Sequence, residues 1–225
     1  MTVLHLADEG EAADLAAFLS RLLHYDRGAA VRLQAAGTAL AVFGRPPSFE
    51  VLAIRAVRLA KPYENGLDVT LDVTVSAGEL LESVDEAAAT AAVPAAVTGP
   101  PWAGVMPPRG GWRPEPGLPD ADALRAMVAA AVAEFRSRTQ ELAPEGRTRA
   151  ELDRIGREIW SRTVGETALP VRAVHAAQSL GFLRPVTSAE GLGFFASGAW
   201  LRLRTPYGSI AVRRAGLGPL DVSVR

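Results

Sequence analysis

The chain has 225 residues, with 24 basic and 25 acidic side chains, three histidines and no cysteine. Its length suits one large domain or two small ones, and an apolar fraction of 48% is enough to form a buried core. The absence of cysteine excludes disulfides, thiolate zinc sites, iron–sulfur clusters and cysteine nucleophiles, and a net charge of −1 excludes a globally basic nucleic-acid-binding protein. The N-terminal residues lack the basic start of a signal peptide and no apolar run could span a membrane, so we expect a cytoplasmic protein.

The first part of the chain is predicted to form a helix, four strands and a second helix. Apolar residues at helical spacing predict a helix over residues 9–24. Short apolar runs, separated by glycine and proline turns or strictly alternating with polar residues, predict antiparallel strands at 31–36, 38–43, 51–59 and 67–75. Ser76 and Glu79 form a capping box that predicts a helix to about Ala92. We therefore expect residues 1–98 to form an α+β domain with a four-stranded antiparallel meander.

A segment rich in proline and glycine follows over residues 99–119, with seven prolines and five glycines among 21 residues. Irregular connections of this length are usually linkers or functional loops, so we place a domain boundary here. The segment also carries residue types that dominate interface hot spots, namely Trp102, Arg109 and Trp112. It is therefore a candidate binding surface, and the alternative is a strap that packs the two halves together.

Residues 120–225 are predicted to be a helical domain that ends in a β-hairpin. Three helices are predicted: Asp120 or Asp122 caps the first, Thr148 with Glu151 forms a capping box at the second, and Pro170 occupies the first position of the third. Two short strands, 199–205 and 209–214, flank a Pro-x-Gly turn and form the hairpin. The net charge is −5 for residues 1–119 and +4 for the remainder, which favours self-association into an oligomer.

Three helices followed by a basic hairpin resemble a winged-helix domain. The resemblance covers residues 147–215, where the third helix ends in a Leu-Gly-aliphatic step at Leu180-Gly181-Phe182-Leu183 and residues 199–214 match the wing. It implies DNA binding, with base-reading side chains at Arg172, His175 and Ser179. It also implies phosphate contacts from one face of the wing, where strand alternation groups Trp200, Arg202, Arg204 and Arg213. The alternative is that this helix packs in a core and the arginines cover a solvated sheet face.

The sequence contains no recognisable catalytic or metal-binding motif. Its histidines, His5, His24 and His175, lie far apart with no partner at metal-ligand spacing. A nucleophile elbow, a phosphate loop and a dinucleotide fingerprint are all absent. We therefore predict no catalytic residue, no metal and no cofactor.

These patterns predict a non-enzymatic binding protein that uses its basic C-terminal helix and hairpin. A protein partner or self-association is favoured over nucleic acid, and no membrane contact is expected. The alternative is a small-molecule-binding domain or an enzyme, with a pocket beneath the loop that carries Trp102 and Trp112.

Overall fold

The computed structural model describes residues 2–60, 71–185 and 191–214. Helices and antiparallel sheets both occur in it, so the predicted α+β class is confirmed. None of the helices within these ranges is long and apolar enough to cross a membrane.

Five helices and eleven strands are present in the described residues. The helices are α1 (Glu9–Tyr25), α2 (Ala77–Glu82), α3 (Ala121–Glu141), α4 (Arg149–Trp160) and α5 (Val171–Ser179). The strands of the first half are β1 (Val3–His5), β2 (Ala30–Ala36), β3 (Ala39–Gly44), β4 (Leu52–Arg58), β5 (Asp72–Ser76), β6 (Val84–Asp85) and β7 (Thr90–Ala92). Those of the second half are β8 (Arg113–Pro114), β9 (Gly193–Ser197), β10 (Trp200–Thr205) and β11 (Gly208–Arg213).

Most strands belong to one eight-stranded antiparallel sheet, with the order β5-β2-β3-β4-β11-β10-β9-β8. The strand predicted at 67–75 lies partly outside the described residues, and its described part, β5, pairs with β2. The predicted meander would place these strands in the order β2-β3-β4-β5, but the observed order is β5-β2-β3-β4. Because β5 does not occupy the edge of β4, that edge is free to pair with β11, and Ser209, Ile210 and Ala211 lie opposite Ile54, Ala53 and Leu52. The sheet thus takes four strands from residues 30–76 and four from residues 113–213, and β8 belongs to the end of the segment 99–119.

The helix predicted to run from Ala77 to about Ala92 is wrong in its second part, because α2 ends at Glu82. The residues that follow form β6 and β7, and β7 pairs with β1 in a separate three-stranded sheet. The Ser83 hydroxyl donates to the carbonyl oxygens of Leu80 and Ala92, both at 2.8 Å, which holds the returning chain against the end of α2. Pairing with a distant strand has outweighed the helix propensity of an alanine-rich segment.

In the second half the three helices and the hairpin occur as predicted. The Asp120 side chain accepts a hydrogen bond from the Ala123 amide, and Thr148 accepts one from Glu151. Gly181 follows α5 with a left-handed φ of 75°, which glycine adopts without strain. The similarity to a winged helix is not confirmed, because both hairpin strands are inner strands of the large sheet: β11 pairs with β4, and β10 pairs with β9.

One hydrophobic core lies between the helices and the first face of the large sheet. It takes fully buried side chains from both halves, including Leu15, Leu33, Val174 and Leu203. The stacked rings of Phe18 and Phe182, 5.5 Å apart, also join the halves. The second face of the sheet carries a smaller apolar cluster, formed by Phe43, Leu52, Ile54 and Ala211.

Residues 99–112, which we call the strap, cross the second face of the sheet from one edge to the other. At the β5 edge, the Val97 amide donates to the Thr74 carbonyl oxygen at 2.9 Å, and Arg32 of β2 donates to the Ala103 carbonyl oxygen. Midway, Trp102 and Met106 pack on the small apolar cluster. The strap then reaches the opposite edge, where the chain continues into β8 beside β9.

Candidate functional site

A cavity of about 460 Å³ opens at one end of the sheet, beside the strap. It lies where β4 begins and β11 ends, and the first turn of α5 contributes to its wall. The apolar part of the wall is formed by Val51, Leu52, Pro101, Trp102, Val105, Trp200, Ala211 and Val212. The charged part is formed by Arg45, Glu50, Arg172 and Arg213.

Arg172 is held in the wall by α5. It lies in the first turn of this helix, where the helix dipole is positive and no acidic residue offsets it. Its charge therefore does not stabilise its own helix. The Nε atom of Arg172 is buried and has no hydrogen-bond partner among the described residues.

Arg45 and Arg213 complete a set of three guanidinium groups. Arg45 is exposed in the turn between β3 and β4, and the guanidinium of Arg213 lies 5.3 Å from the centre of the Trp200 ring. In the described part of the chain, none of the three arginines forms an ion pair with a carboxylate. Like charges around one cavity repel each other, and an anion in the cavity would remove that cost.

Glu50 is the only acidic side chain among the described residues of the wall. Three guanidinium groups and one carboxylate leave two positive charges uncompensated. The backbone of Glu50 is left-handed, with φ 52° and ψ 38°, a conformation that costs a non-glycine residue about 1 kcal/mol. Backbone strain of this kind concentrates at functional sites, and here it brings a carboxylate to the rim of a basic cavity.

Two indole rings, those of Trp102 and Trp200, line the same cavity. Both side chains are half-buried and pack on the small apolar cluster of the second face. An indole offers a flat apolar surface on which a planar group can stack. The cavity therefore combines cationic donors with flat apolar walls.

The structure brings together residues that the sequence predicted in two separate groups. Trp102 comes from the proline-rich loop, Arg172 from the third helix of the second half, and Trp200 and Arg213 from the hairpin. Sequence reasoning missed Arg45 and Glu50. The glycine and proline residues around Arg45 marked only a turn, and nothing local to Glu50 signals its position near Arg172.

Arg202 and Arg204 lie on the second face of the sheet, farther along β10 from the cavity than Trp200. The guanidinium of Arg204 lies 4.8 Å from the centre of the Phe195 ring, and that of Arg202 lies 5.6 Å from a ring of Trp112. Arg202 also donates from Nη2 to the Ser209 hydroxyl at 3.1 Å. Burial, and to a smaller extent the charge of Arg204, lowers the pKa of Arg202.

Two other residues of the predicted base-reading face do not line the cavity. The ring of His175 stacks on Trp160 at 4.5 Å and meets Phe49 edge-on at 5.1 Å, and burial lowers its pKa. Ser179 is half-buried in the last turn of α5. A base-reading role for this helix stays a prediction, and the packing of His175 gives it no support, because a recognition helix exposes its polar face to the major groove.

The remaining predicted residues belong to the strap. Arg109 is exposed, and its Nη2 lies 4.0 Å from the Oδ2 of Asp72. The Trp112 indole donates to the Pro108 carbonyl oxygen at 3.0 Å. No group of three or more histidine, aspartate or glutamate side chains that could hold a metal ion occurs in the ranges that the structure describes.

Comparison with known proteins divides the chain within the strap. A family model described as a domain of unknown function (DUF8010) matches residues 1–104, and a second, described as a domain of unknown function (DUF8185), matches residues 107–217. The chain is similar to both families, and neither description states an activity. No curated protein and no solved structure gives a significant match.

Proposed function

We propose that this protein binds a small anionic molecule with a flat apolar part in the cavity beside the strap. The observation that carries the proposal is the set of three arginines, Arg45, Arg172 and Arg213, around one cavity without a paired carboxylate among the described residues. A guanidinium group presents a planar fork of donors that matches the oxygens of a phosphate or a carboxylate.

The size and walls of the cavity suit a ligand of this kind. Its volume of about 460 Å³ falls in the range of small-molecule sites, about 300–1,000 Å³. The two indoles supply the apolar contact that such sites use for most of their area. The proposal combines two expectations from the sequence: two of the three cations, Arg172 and Arg213, come from the basic helix and hairpin, and one of the two indoles, that of Trp102, comes from the tryptophan loop.

Isothermal titration calorimetry with three naphthalene compounds tests the proposal. We expect naphthyl phosphate and naphthoate to bind, since each carries an anion on a flat ring, and naphthol to bind at least tenfold more weakly. The relative affinity of the first two compounds distinguishes a phosphate site from a carboxylate site. Equal binding of naphthol, or no binding of either anion, would contradict the proposal.

Matched substitutions assign the binding to the cavity. Arg45→Gln and Arg172→Gln should each weaken binding of naphthyl phosphate about tenfold to a hundredfold, because each removes charge-assisted hydrogen bonds. Arg136→Gln is the control, since Arg136 is exposed on α3 and forms no side-chain bond with any described residue. Unchanged affinity in both cavity variants would place the binding elsewhere.

A further inference from the structure

Three arginine–aromatic pairs lie in a row along β10, on the second face of the sheet. They are Arg213 with Trp200, Arg202 with Trp112 and Arg204 with Phe195, at 5.3, 5.6 and 4.8 Å from guanidinium carbon to ring centre. We call these six residues the arginine–aromatic strip. Its first pair, Arg213 and Trp200, also lines the cavity, so the strip starts at the cavity and leads away from it.

The strand register spaces the cations regularly. Arg213 lies directly opposite Trp200, and Arg202 and Arg204 follow at the next two positions of the same face. Arg202 and Arg204 are alternate residues of β10, about 7 Å apart, and Arg213 lies beside Trp200 on the neighbouring strand β11. Arg204 and Arg213, the exposed cations, therefore lie on either side of the half-buried Arg202.

Two arginines of the strip, Arg204 and Arg213, keep donors for an anionic ligand, whereas Arg202 is half-buried and donates to Ser209. Stacking on a ring occupies the flat face of a guanidinium group and leaves its N–H donors free in the plane. Arg204 and Arg213 are exposed, and neither forms an ion pair with an acidic residue in the described ranges. The sequences of β4, β8, β9, β10 and β11 contain no acidic residue, so these strands present no charge that repels an anion.

We propose that the arginine–aromatic strip binds single-stranded nucleic acid, with the terminal nucleotide in the cavity and the following nucleotides along β10. The alternating aromatic rings favour this ligand over an acidic peptide, because bases stack on aromatic side chains and peptide carboxylates do not. The inference rests on the proposed function, since the cavity receives the end of the chain. It adds the ligand class and the direction in which the ligand leaves the cavity.

Calorimetric titration with uridine monophosphate and with oligouridylates of two, four and eight nucleotides tests the inference. We expect affinity to rise about tenfold or more from the mononucleotide to the tetranucleotide, because each added base gains a stacking and a phosphate contact. It should then level off, since the strip offers three pairs. Affinity should also fall steeply as salt concentration rises.

Three single substitutions separate the strip from the cavity. Arg204→Gln should weaken the tetranucleotide about tenfold and leave the mononucleotide unchanged, because Arg204 lies outside the cavity wall. Arg45→Gln should weaken both ligands. Arg136→Gln should weaken neither, and thermal unfolding of each variant verifies that the fold is retained.

The outcomes also distinguish this inference from the proposed function. If naphthyl phosphate binds and the mononucleotide binds as tightly as the tetranucleotide, the strip does not bind nucleic acid although the cavity binds anions. Equal affinity for a duplex of the same length, or for polyglutamate, would overturn the assignment to single strands. If neither naphthyl phosphate nor any nucleotide binds, both proposals are wrong.

Discussion

The buried guanidinium of Arg55 joins the two halves of the chain, and its removal should destabilise the whole fold. Arg55 is 5% exposed and lies between the sheet and α1. Its Nη2 contacts Glu11 at 2.9 Å and Asp14 at 3.3 Å, and its Nη1 donates to the Tyr207 carbonyl oxygen at 2.8 Å. Arg55→Met keeps similar volume but leaves these three oxygens without this donor.

The expected loss of unfolding free energy depends on which ion-pair partners the two carboxylates keep in the variant. Removing one partner of a buried ion pair costs about 3–5 kcal/mol. Glu11 keeps Arg58 at 2.8 Å and Asp14 keeps Arg184 at 2.9 Å, so the loss should lie at the low end, about 3 kcal/mol. For a protein of this size, such a loss lowers Tm by about 6–12 °C.

Urea denaturation followed by tryptophan fluorescence measures this loss, with the slope of unfolding free energy against urea verifying that the transition is unchanged. Arg58→Met is the matched control. Arg58 contacts Glu11 and Asp8 of the same region, but its side chain is 71% exposed, so water replaces its contacts and the loss should be much smaller. Equal losses for the two variants would refute the argument, because burial would then not determine the cost.

Four further predictions concern the site and its surroundings. Trp102→Ala should lower the free energy of unfolding in urea by about 2 kcal/mol, since the indole is half-buried on the small apolar cluster. The same variant should bind naphthyl phosphate more weakly in calorimetry. Glu50→Gly should raise the free energy of unfolding by up to about 1 kcal/mol, because glycine adopts a left-handed backbone without strain. It should also tighten naphthyl phosphate binding, because it removes a negative charge from the cavity wall; weaker binding would mean that the carboxylate contacts the ligand. Burial lowers the pKa of His175, so as pH falls the unfolded chain binds a proton at this residue before the folded protein does. The free energy of unfolding should therefore fall as pH drops below about 6.5. His175→Asn should flatten that part of the pH–stability curve, and an unaltered curve would exclude His175 as the source. If opposite charges on residues 1–119 and 120–225 hold an oligomer together, it should dissociate as salt rises above about 0.5 M. A molecular mass that stays constant over this range in light scattering would exclude such association.

The parts of the fold that depend on neighbouring residues could be predicted from the sequence. The starts of three helices follow from side chains that cap the first turn, namely Ser76, Asp120 and Thr148. The hairpin follows from a two-residue turn, Pro206-Tyr207, between strands that pair from Thr205 and Gly208 onward. In each case the residues that determine the conformation lie within a few positions of it.

The pairing of distant strands could not be predicted in this way. The alanine-rich residues after Glu82 carry a helical pattern, yet Thr90–Ala92 form a strand that pairs with β6 and with the distant β1. The cavity has the same origin, since Arg45, Trp102, Arg172 and Arg213 come from four separate segments. The sequence identified three of these residues through their chemistry, and their proximity follows from the order of the strands.

The pairing of β4 with β11 has a consequence for chains that contain only one of the two halves. Either half alone would expose one of these strands along its hydrogen-bonding edge, and both are rich in apolar residues, as in LAIRAVR and GSIAVR. An open apolar edge is a template on which another strand can add. Each half would therefore need another strand or a covering segment to remain monomeric, and a cut within the strap would create two surfaces that are prone to aggregate.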